Sequence, residues 1–252
     1  MEFGKPHGWY VISLRPQGEH ASLRRAAAAH GAGLIALSPW KLRLRADEAA
    51  RSALQVALDA QRVLFTSPAA VRAAAALLEF RPRPDQAWIA VGSGTAHALR
   101  RAGVDCVQSP ARMDSEGLLE LPALQDLTGL DVGLVTAPEG RGLLAASLRE
   151  RGARLLRADV YVREPLALSP PALRKLRALQ APAFLALSSE GALRHVLAQA
   201  PADLLVRLRA TPTIAASERL QRIARASGFA EVELAEGPRP RQLLAAMACR
   251  FR

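Results

Sequence analysis

Short apolar runs alternate with amphipathic helical patterns from one end of the chain to the other. This alternation is typical of an α/β protein with parallel sheets, because the helices between the strands cover both faces of such a sheet. Ten strands are too many for one modest sheet, so the pattern predicts two doubly wound halves. The predicted strands are Trp9–Leu14, Gly33–Leu37, Arg62–Thr66, Ala87–Val91, Asp105–Gln108, Val132–Thr136, Arg154–Tyr161, Ala183–Leu187, Thr213–Ala215 and Glu231–Ala235.

Two segments interrupt the alternation. The stretches LSPWKLRLRADE and ADVYVREPLALSPPAL contain short extended pieces beside proline, and neither has a helical pattern. We therefore predict that the chain crosses between two domains at these places. One domain then comprises residues 1–38 and 166–252, and the other comprises 39–165 with the crossing segments near 39–44 and 159–165.

Charge and composition restrict the classes of partner. The net charge of +11 and the pI of about 11.1 indicate an anionic partner, and composition alone leaves open a nucleic acid, an acidic membrane or a small polyanion. Aromatic residues make up only 4% of the chain, which argues against a nucleic-acid binder that works by stacking. No apolar run has the length of a membrane span, no signal-peptide pattern is present, and the two cysteines are expected to be reduced. We therefore expect a cytoplasmic protein that does not enter a membrane.

Five predicted strands end in small or hydroxyl residues and lead directly into a helix. In each turn a Ser or Thr, such as Thr95, is expected to cap the helix, and the helix dipole with its free N–H groups attracts anions. The carboxyl ends of parallel strands lie at one edge of a sheet, so several such turns predict a combined anion site. The five turns are FTSPAAVRAA, AVGSGTAHAL, VTAPEGRGLLAASL, ALSSEGALRHVL and TIAASERLQRIA.

The glycine-rich turn matches a dinucleotide-binding fingerprint only in part. Gly92 and Gly94 are followed by His97 where the third glycine belongs, and the chain has no phosphate-binding loop and no nucleophile elbow. Each of the five histidines stands alone, as a solvated or core residue usually does, and Cys106 and Cys249 lack metal-ligand spacing. We therefore predict no metal and no cofactor.

Two arginines and one tyrosine are candidate site residues with two interpretations each. Arg15 and Arg141 each follow a predicted strand and precede a helix, where a guanidinium either pairs with a ligand carboxylate or is simply solvated. Tyr161 lies in the second crossing. It is either a half-buried packing residue or the side chain that moves a proton at a cleft between the domains.

Longer motifs are more specific than any single turn when their order and spacing are taken together. They are LFTSPAAV, AVGSGTAHALRRAG, MDSEGLLEL, EGRGLLAASLRERGARLLRADVYVREP and TIAASERLQRIARASGF. In this arrangement the chain resembles the uroporphyrinogen-III synthase family over nearly its whole length. The resemblance implies two HemD-type α/β domains, the first of which contains both chain termini, joined by a two-stranded antiparallel linker.

The resemblance also implies a monomeric cyclising lyase that uses no cofactor or metal. Its substrate is hydroxymethylbilane, a linear polyanionic tetrapyrrole, which loses water from its terminal hydroxymethyl group and closes with inversion of the last pyrrole. Tyr161 matches the family tyrosine that assists departure of the hydroxyl. The implied substrate contacts are Thr66, Ser67, Gly92, Ser93, Thr95, Ser115, Glu116, Ser188, Ser189 and Ser217, and Arg15 and Arg141 join them as candidates from their strand-end positions.

Two other functions stay open at this point. A non-catalytic HemD-type domain would use the same basic cleft to hold an acidic ligand or a regulatory partner. A general nucleic-acid binder would require a basic patch outside the cleft and binding that weakens with salt. A transient contact with hydroxymethylbilane synthase, which makes the substrate, is also open.

Overall fold

The computed structural model describes residues 8–110, 115–138 and 142–248. It divides into two compact units, a first unit of Met1–Lys41 with Glu164–Arg252 and a second unit of Leu42–Arg163. The strands are β1 (Tyr10–Ser13), β2 (Gly33–Ala36), β3 (Trp40–Leu44), β4 (Arg62–Phe65), β5 (Ala87–Ala90), β6 (Val107–Gln108), β7 (Asp131–Thr136), β8 (Arg154–Asp159), β9 (Tyr161–Pro165), β10 (Ala183–Leu187), β11 (Thr213–Ala215) and β12 (Val232–Leu234). The helices are α1 (Ala21–Ala28), α2 (Glu48–Leu58), α3 (Pro68–Leu77), α4 (Ser93–Arg101), α5 (Ser115–Leu119), α6 (Gly142–Glu150), α7 (Pro170–Ala178), α8 (Glu190–Gln199), α9 (Ala202–Ala210), α10 (Glu218–Ala226) and α11 (Pro240–Ala248).

Each unit contains a five-stranded sheet whose strands are all parallel. The strand order is β12-β11-β10-β1-β2 in the first unit and β6-β5-β4-β7-β8 in the second. In both sheets the chain starts at an inner strand, adds strands toward one edge, and then returns to add strands toward the other edge. The direction of winding therefore reverses between β1 and β10 and between β4 and β7. The predicted α/β class with two doubly wound parallel sheets is confirmed.

Apolar side chains cover both faces of each sheet. In β1, Val11 packs into one core and Ile12 into the core on the opposite face. In β4, Phe65 and Leu64 are divided in the same way between the two cores of the second unit. Strands that are buried on both faces have near-continuous apolar sequences, which is why these runs show no polar alternation.

A close approach between α2 and β7 depends on a glycine. A Cβ atom placed on Gly133 would lie 1.9 Å from the carbonyl oxygen of Ala57, near the end of α2. No side chain fits in that space. The helix therefore packs its backbone directly on the strand in the core of the second unit.

The chain passes between the units within β3 and β9, which pair as a two-stranded ladder. Hydrogen bonds from Arg45 N to Val160 O (3.0 Å) and from Leu166 N to Pro39 O (3.0 Å) give the antiparallel register. The ladder confirms the two-stranded linker of the predicted fold class.

The predicted strand Arg154–Tyr161 is divided at Val160. The Val160 N–H donates to Thr136 O (3.1 Å), which continues the ladder with β7, whereas its carbonyl already accepts from Arg45. The N–H and the carbonyl of one residue therefore belong to different sheets, and Tyr161 begins β9. Among the described helices, none is both long and apolar enough to cross a membrane.

Candidate active site

Two threonines meet at the carboxyl edge of the second unit's sheet. Thr66 follows β4 and Thr136 ends β7, so both lie where the direction of winding reverses, which is the usual ligand position in open α/β sheets. Thr66 Oγ1 donates to Thr136 Oγ1 at 2.9 Å, and the Thr66 N–H donates to Val135 O at 3.1 Å. Sequence reasoning did not assign Thr136, although its position at a strand end was the available signal.

Tyr161 lies beside Ser67 at the same edge. The Tyr161 side chain is buried, with the residue only 6% exposed, and its ring belongs to the apolar core that contains Phe65. Its hydroxyl oxygen is 3.3 Å from Ser67 Oγ. Ser67 caps α3, because its Oγ accepts from Ala70 N at 3.0 Å. Packing therefore fixes the ring, and the serine fixes the position of the hydroxyl.

The start of α4 differs from the predicted arrangement. Its N-cap is Gly92, which has no side chain to donate or accept a bond, and Ser93 is the first helical residue. Thr95 lies within the helix and is only 3% exposed. The prediction that Thr95 caps α4 is therefore wrong, since a capping side chain must belong to the residue that precedes the helix.

A cavity of about 300 Å³ opens between α3 and α4. It starts at Pro68 and Gly94, at the first turns of the two helices, and Arg72, His97 and Arg101 contribute to its walls. The residues that line it include no acidic side chain. The cavity is therefore suited to a negatively charged group close to the hydroxyl-bearing turns.

Three predicted contacts of the second unit cannot be located by their side chains. Ser115 and Glu116 begin α5, but their side chains lie outside the described residues, as does the whole of Arg141. The second unit thus brings together Thr66, Ser67 and Tyr161, with Gly92 and Ser93 at the adjacent strand end.

In the first unit, three serines follow two neighbouring strands. Ser189 caps α8 through Ala192 N (3.3 Å), and Ser217 caps α10 through Leu220 N (3.4 Å). Ser188 and Ser217 are exposed. Because β10 and β11 are paired in the sheet, their carboxyl ends place these hydroxyls at one edge.

An ion-pair cluster joins the starts of α8 and α10. Glu190, the first residue of α8, bonds Arg194 Nη2 at 2.7 Å through Oε1 and bonds Arg219 through Oε2. Arg219 lies in the first turn of α10. Sequence reasoning did not identify this cluster, because the partners Glu190 and Arg219 come from separate turns of the chain.

Arg15 lies just beyond the end of β1 and is half-buried. Its Nη1 donates to Ser22 Oγ at 2.9 Å, in the first turn of α1. Burial lowers the pKa of Arg15, and the nearby carboxylate of Glu19 opposes that effect. The guanidinium is therefore held at the edge of the first unit's sheet, on the side where the serines lie.

Beside Arg15, a buried histidine is held between two hydroxyls. His20 Nδ1 is 2.9 Å from Ser13 Oγ, and its Nε2 is 2.8 Å from Ser38 Oγ. Ser13 ends β1, and Ser38 follows β2. Burial lowers the pKa of His20 to about 4, with smaller contributions in the same direction from Arg24 and Arg15, and Glu19 acts against them. The sequence indicated only a solvated or core residue here.

The two edges offer complementary chemistry. Serine hydroxyls, helix N-termini and arginines can bind several carboxylates, and Tyr161 can donate a proton. Within the described part of the chain, no group of three or more His, Cys, Asp or Glu side chains is placed to hold a metal ion.

Comparisons with known proteins show the family and the fold of the chain. A family model described as uroporphyrinogen-III synthase HemD matches residues 21–245. A mutant uroporphyrinogen III synthase from the extremely thermophilic bacterium Thermus thermophilus is 19% identical, with a TM-score of 0.61 over 96% of this chain and 99% of that chain. Uroporphyrinogen-III synthetase from Helicobacter pylori is 17% identical, with a TM-score of 0.59 over 96% and 99% of the two chains. At these identities the structural similarity establishes a shared fold.

Proposed function

The chain belongs to the HemD family of uroporphyrinogen-III synthases, which are cyclising lyases of tetrapyrrole biosynthesis, and we propose that its substrate is hydroxymethylbilane. Enzymes of this family act on a small tetrapyrrole. The observation that carries the proposal is the position of the Tyr161 hydroxyl, 3.3 Å from Ser67 Oγ at the carboxyl edge of the second unit's sheet. A rigid proton donor at a ligand-binding edge is what dehydration of a hydroxymethyl group requires.

In the proposed first step, the C–O bond of the terminal hydroxymethyl group breaks. The C–O bonding electrons leave with the oxygen, to which Tyr161 donates its proton, so that water departs, and the electron-rich pyrrole supplies an electron pair to the carbon that remains. For closure with inversion, this electrophilic carbon bonds the α-carbon of the last pyrrole that already bears its methylene bridge. The bond to that bridge then breaks and re-forms at the other α-carbon of the pyrrole, and the proton released there restores Tyr161, so only water is lost overall. Ser67 holds the tyrosine hydroxyl in place.

The substrate's carboxylates are proposed to bind at the helix starts of each unit. The candidate contacts in the second unit are Thr66, Ser67, Gly92, Ser93, Thr95, Ser115, Glu116 and Arg141, and those in the first unit are Arg15, Ser188, Ser189 and Ser217. A carboxylate at a helix N-terminus gains about 0.3–1 kcal/mol, so several together suffice to select one conformation of a flexible chain. Orientation of this kind would favour the inverted ring closure over the simple one.

The proposed function is tested with freshly prepared hydroxymethylbilane. After incubation with the protein, the products are oxidised and the uroporphyrin isomers are separated by chromatography. We expect the type III isomer to predominate at a rate proportional to protein concentration. Formation of the type I isomer alone, at the rate without protein, would overturn the proposal.

The role of Tyr161 is tested by Tyr161→Phe, which keeps the buried ring and removes only the hydroxyl. We expect kcat to fall by about 10²-fold or more, the lower end of general-acid contributions, with unchanged folding. Tyr10→Phe is the matched control. It makes the same chemical change at the only other tyrosine, at the amino end of β1.

Full turnover by Tyr161→Phe would remove the proton donor from the mechanism without affecting the family assignment. An equal loss of kcat in Tyr10→Phe would show instead that the assay responds to general destabilisation.

The proposal extends to a monomer in the cytoplasm that receives its substrate by transient contact with hydroxymethylbilane synthase. The exposed free thiol of Cys106 supports a reducing compartment. Light scattering during size-exclusion chromatography, with and without the synthase, tests the oligomeric state and the contact.

A further inference from the structure

We propose that His20 is a positioning residue of the substrate site: clamped between the hydroxyls of Ser13 and Ser38, it fixes the loop that carries Arg15. The inference rests on the proposed function, because it assigns Arg15 to a substrate carboxylate. His20 itself is 7% exposed, and both of its ring nitrogens are engaged by serine hydroxyls.

The clamp joins three parts of the first unit. His20 immediately precedes α1, yet its side chain does not cap that helix. The ring instead reaches Ser13 at the end of β1 (2.9 Å) and Ser38 beyond β2 (2.8 Å). The strand-to-helix loop between Ser13 and His20 is therefore closed on itself by a side chain, in addition to its backbone bonds.

Arg15 lies inside this closed loop. The loop backbone is held by Gln17 N donating to Trp40 O (2.9 Å) and by Glu19 N donating to Pro16 O (3.0 Å). The guanidinium of Arg15 is attached separately to Ser22, two residues beyond His20. Displacement of His20 would thus move both the backbone of Arg15 and the helix turn that holds its side chain.

The surroundings of the clamp favour a neutral ring. A neutral imidazole has one donor and one acceptor nitrogen, so one serine hydroxyl donates to the ring and the other accepts from it. A protonated ring would be a double donor beside the positive charges of Arg15 and Arg24, and Glu19 is the one carboxylate that acts against them. The neutral ring therefore satisfies the hydroxyls of buried Ser13 and half-buried Ser38 and leaves the positive charge of the site to Arg15.

The test is a double-mutant cycle in the isomer assay with His20→Gln and Arg15→Gln. We expect His20→Gln to raise KM about tenfold and to change kcat by less than about twofold. A tenfold rise corresponds to the loss of one hydrogen bond between Arg15 and a substrate carboxylate. In the Arg15→Gln background the same substitution should leave KM unchanged within about twofold. His30→Gln, the same change at an exposed histidine beyond α1, is the matched control and should keep the wild-type KM.

Two results would overturn the inference. One is an unchanged KM in His20→Gln, and the other is an equal rise in KM with and without Arg15, which indicates general damage to the fold. If His20→Gln does not fold, Ser38→Ala removes one side of the clamp and replaces it in the same cycle.

A second arm separates this inference from the proposed function. It measures the dissociation constant of uroporphyrin, a soluble octacarboxylate, by quenching of its fluorescence. If wild-type protein yields only the type I isomer, the proposed function fails. The role of His20 is then tested by the uroporphyrin dissociation constants of the wild-type protein, His20→Gln, Arg15→Gln and the double variant. Formation of the type I isomer alone, together with absence of uroporphyrin binding by folded wild-type protein, would overturn both.

Discussion

Acidification should destabilise the first unit through His20. The pKa of this histidine is about 4 in the folded protein, against 6.5 for an unperturbed side chain. Between these pH values the unfolded chain binds a proton that the folded chain excludes, so the free energy of unfolding falls as the pH decreases from 6.5 and levels off below 4. At about 1.4 kcal/mol per pKa unit, the full loss is about 3 kcal/mol, and most of it is reached by pH 4.5.

Carboxylates also titrate in this range, so the contribution of His20 must be isolated by substitution. Urea unfolding of wild-type protein and of His20→Gln at pH 7 and pH 4.5 gives four free energies of unfolding. We expect the decrease between the two pH values to be about 2.5 kcal/mol smaller in His20→Gln, which has no ring to protonate.

An equal decrease in both proteins would refute the reasoning. So would a direct titration of the His20 ring by nuclear magnetic resonance that places its pKa above 6. A pKa near 4 would also mean that the ring between Ser13 and Ser38 is neutral at pH 7.

Two further substitutions test the packing and the capping described above. Gly133→Ala should destabilise the second unit by about 3 kcal/mol or more, because the new Cβ would overlap the carbonyl of Ala57. Chemical denaturation measures the free energy of unfolding. Gly191→Ala is the control, because a Cβ at Gly191 makes only an ordinary contact. A loss below about 1 kcal/mol would mean that α2 can shift freely. Ser217→Ala should lower the free energy of unfolding by about 1 kcal/mol, because it removes the cap of α10. Thermal unfolding measures the loss, and an unchanged Tm would show that the cap is not a stabilising contact.

The two parallel sheets could be predicted because strands that are buried on both faces leave a strong local pattern. β4 contains the run of residues 63–65 and β7 contains the run of residues 132–135, neither of which has a polar side chain, and a threonine follows each run. The same local signal predicted a Ser or Thr cap in these turns, and Ser67, Ser189 and Ser217 supply it, since capping depends on one residue and the turn that follows it.

Features that depend on pairing between distant segments could not be predicted. The change of sheet at Val160 depends on Thr136 on one side and Arg45 on the other, and neither is visible in an apolar run. The start of α7 was assigned to an extended crossing because of its two prolines. Proline is in fact well suited to the first turn of a helix, where its missing N–H is not needed.

The clamp on His20 also depends on segments that are distant in sequence. Ser13 and Ser38 are 25 positions apart in the chain, and they meet one histidine only because β1 and β2 are neighbours in the sheet. A single histidine on a helical pattern therefore has no sequence signal that separates a solvated ring from a buried one.

The helix starts differ in what they offer a carboxylate. In α3, α8 and α10 a serine oxygen already accepts from an N–H of the first turn, so a ligand must compete with it or bind the hydroxyl itself. In α4 the preceding residue is Gly92, which supplies no such oxygen, and the cavity between α3 and α4 begins in the first turn of α4, with Arg72 and Arg101 on its walls. Among these four helices, α4 is the one without a side-chain cap, and we expect a substrate carboxylate to gain most free energy there.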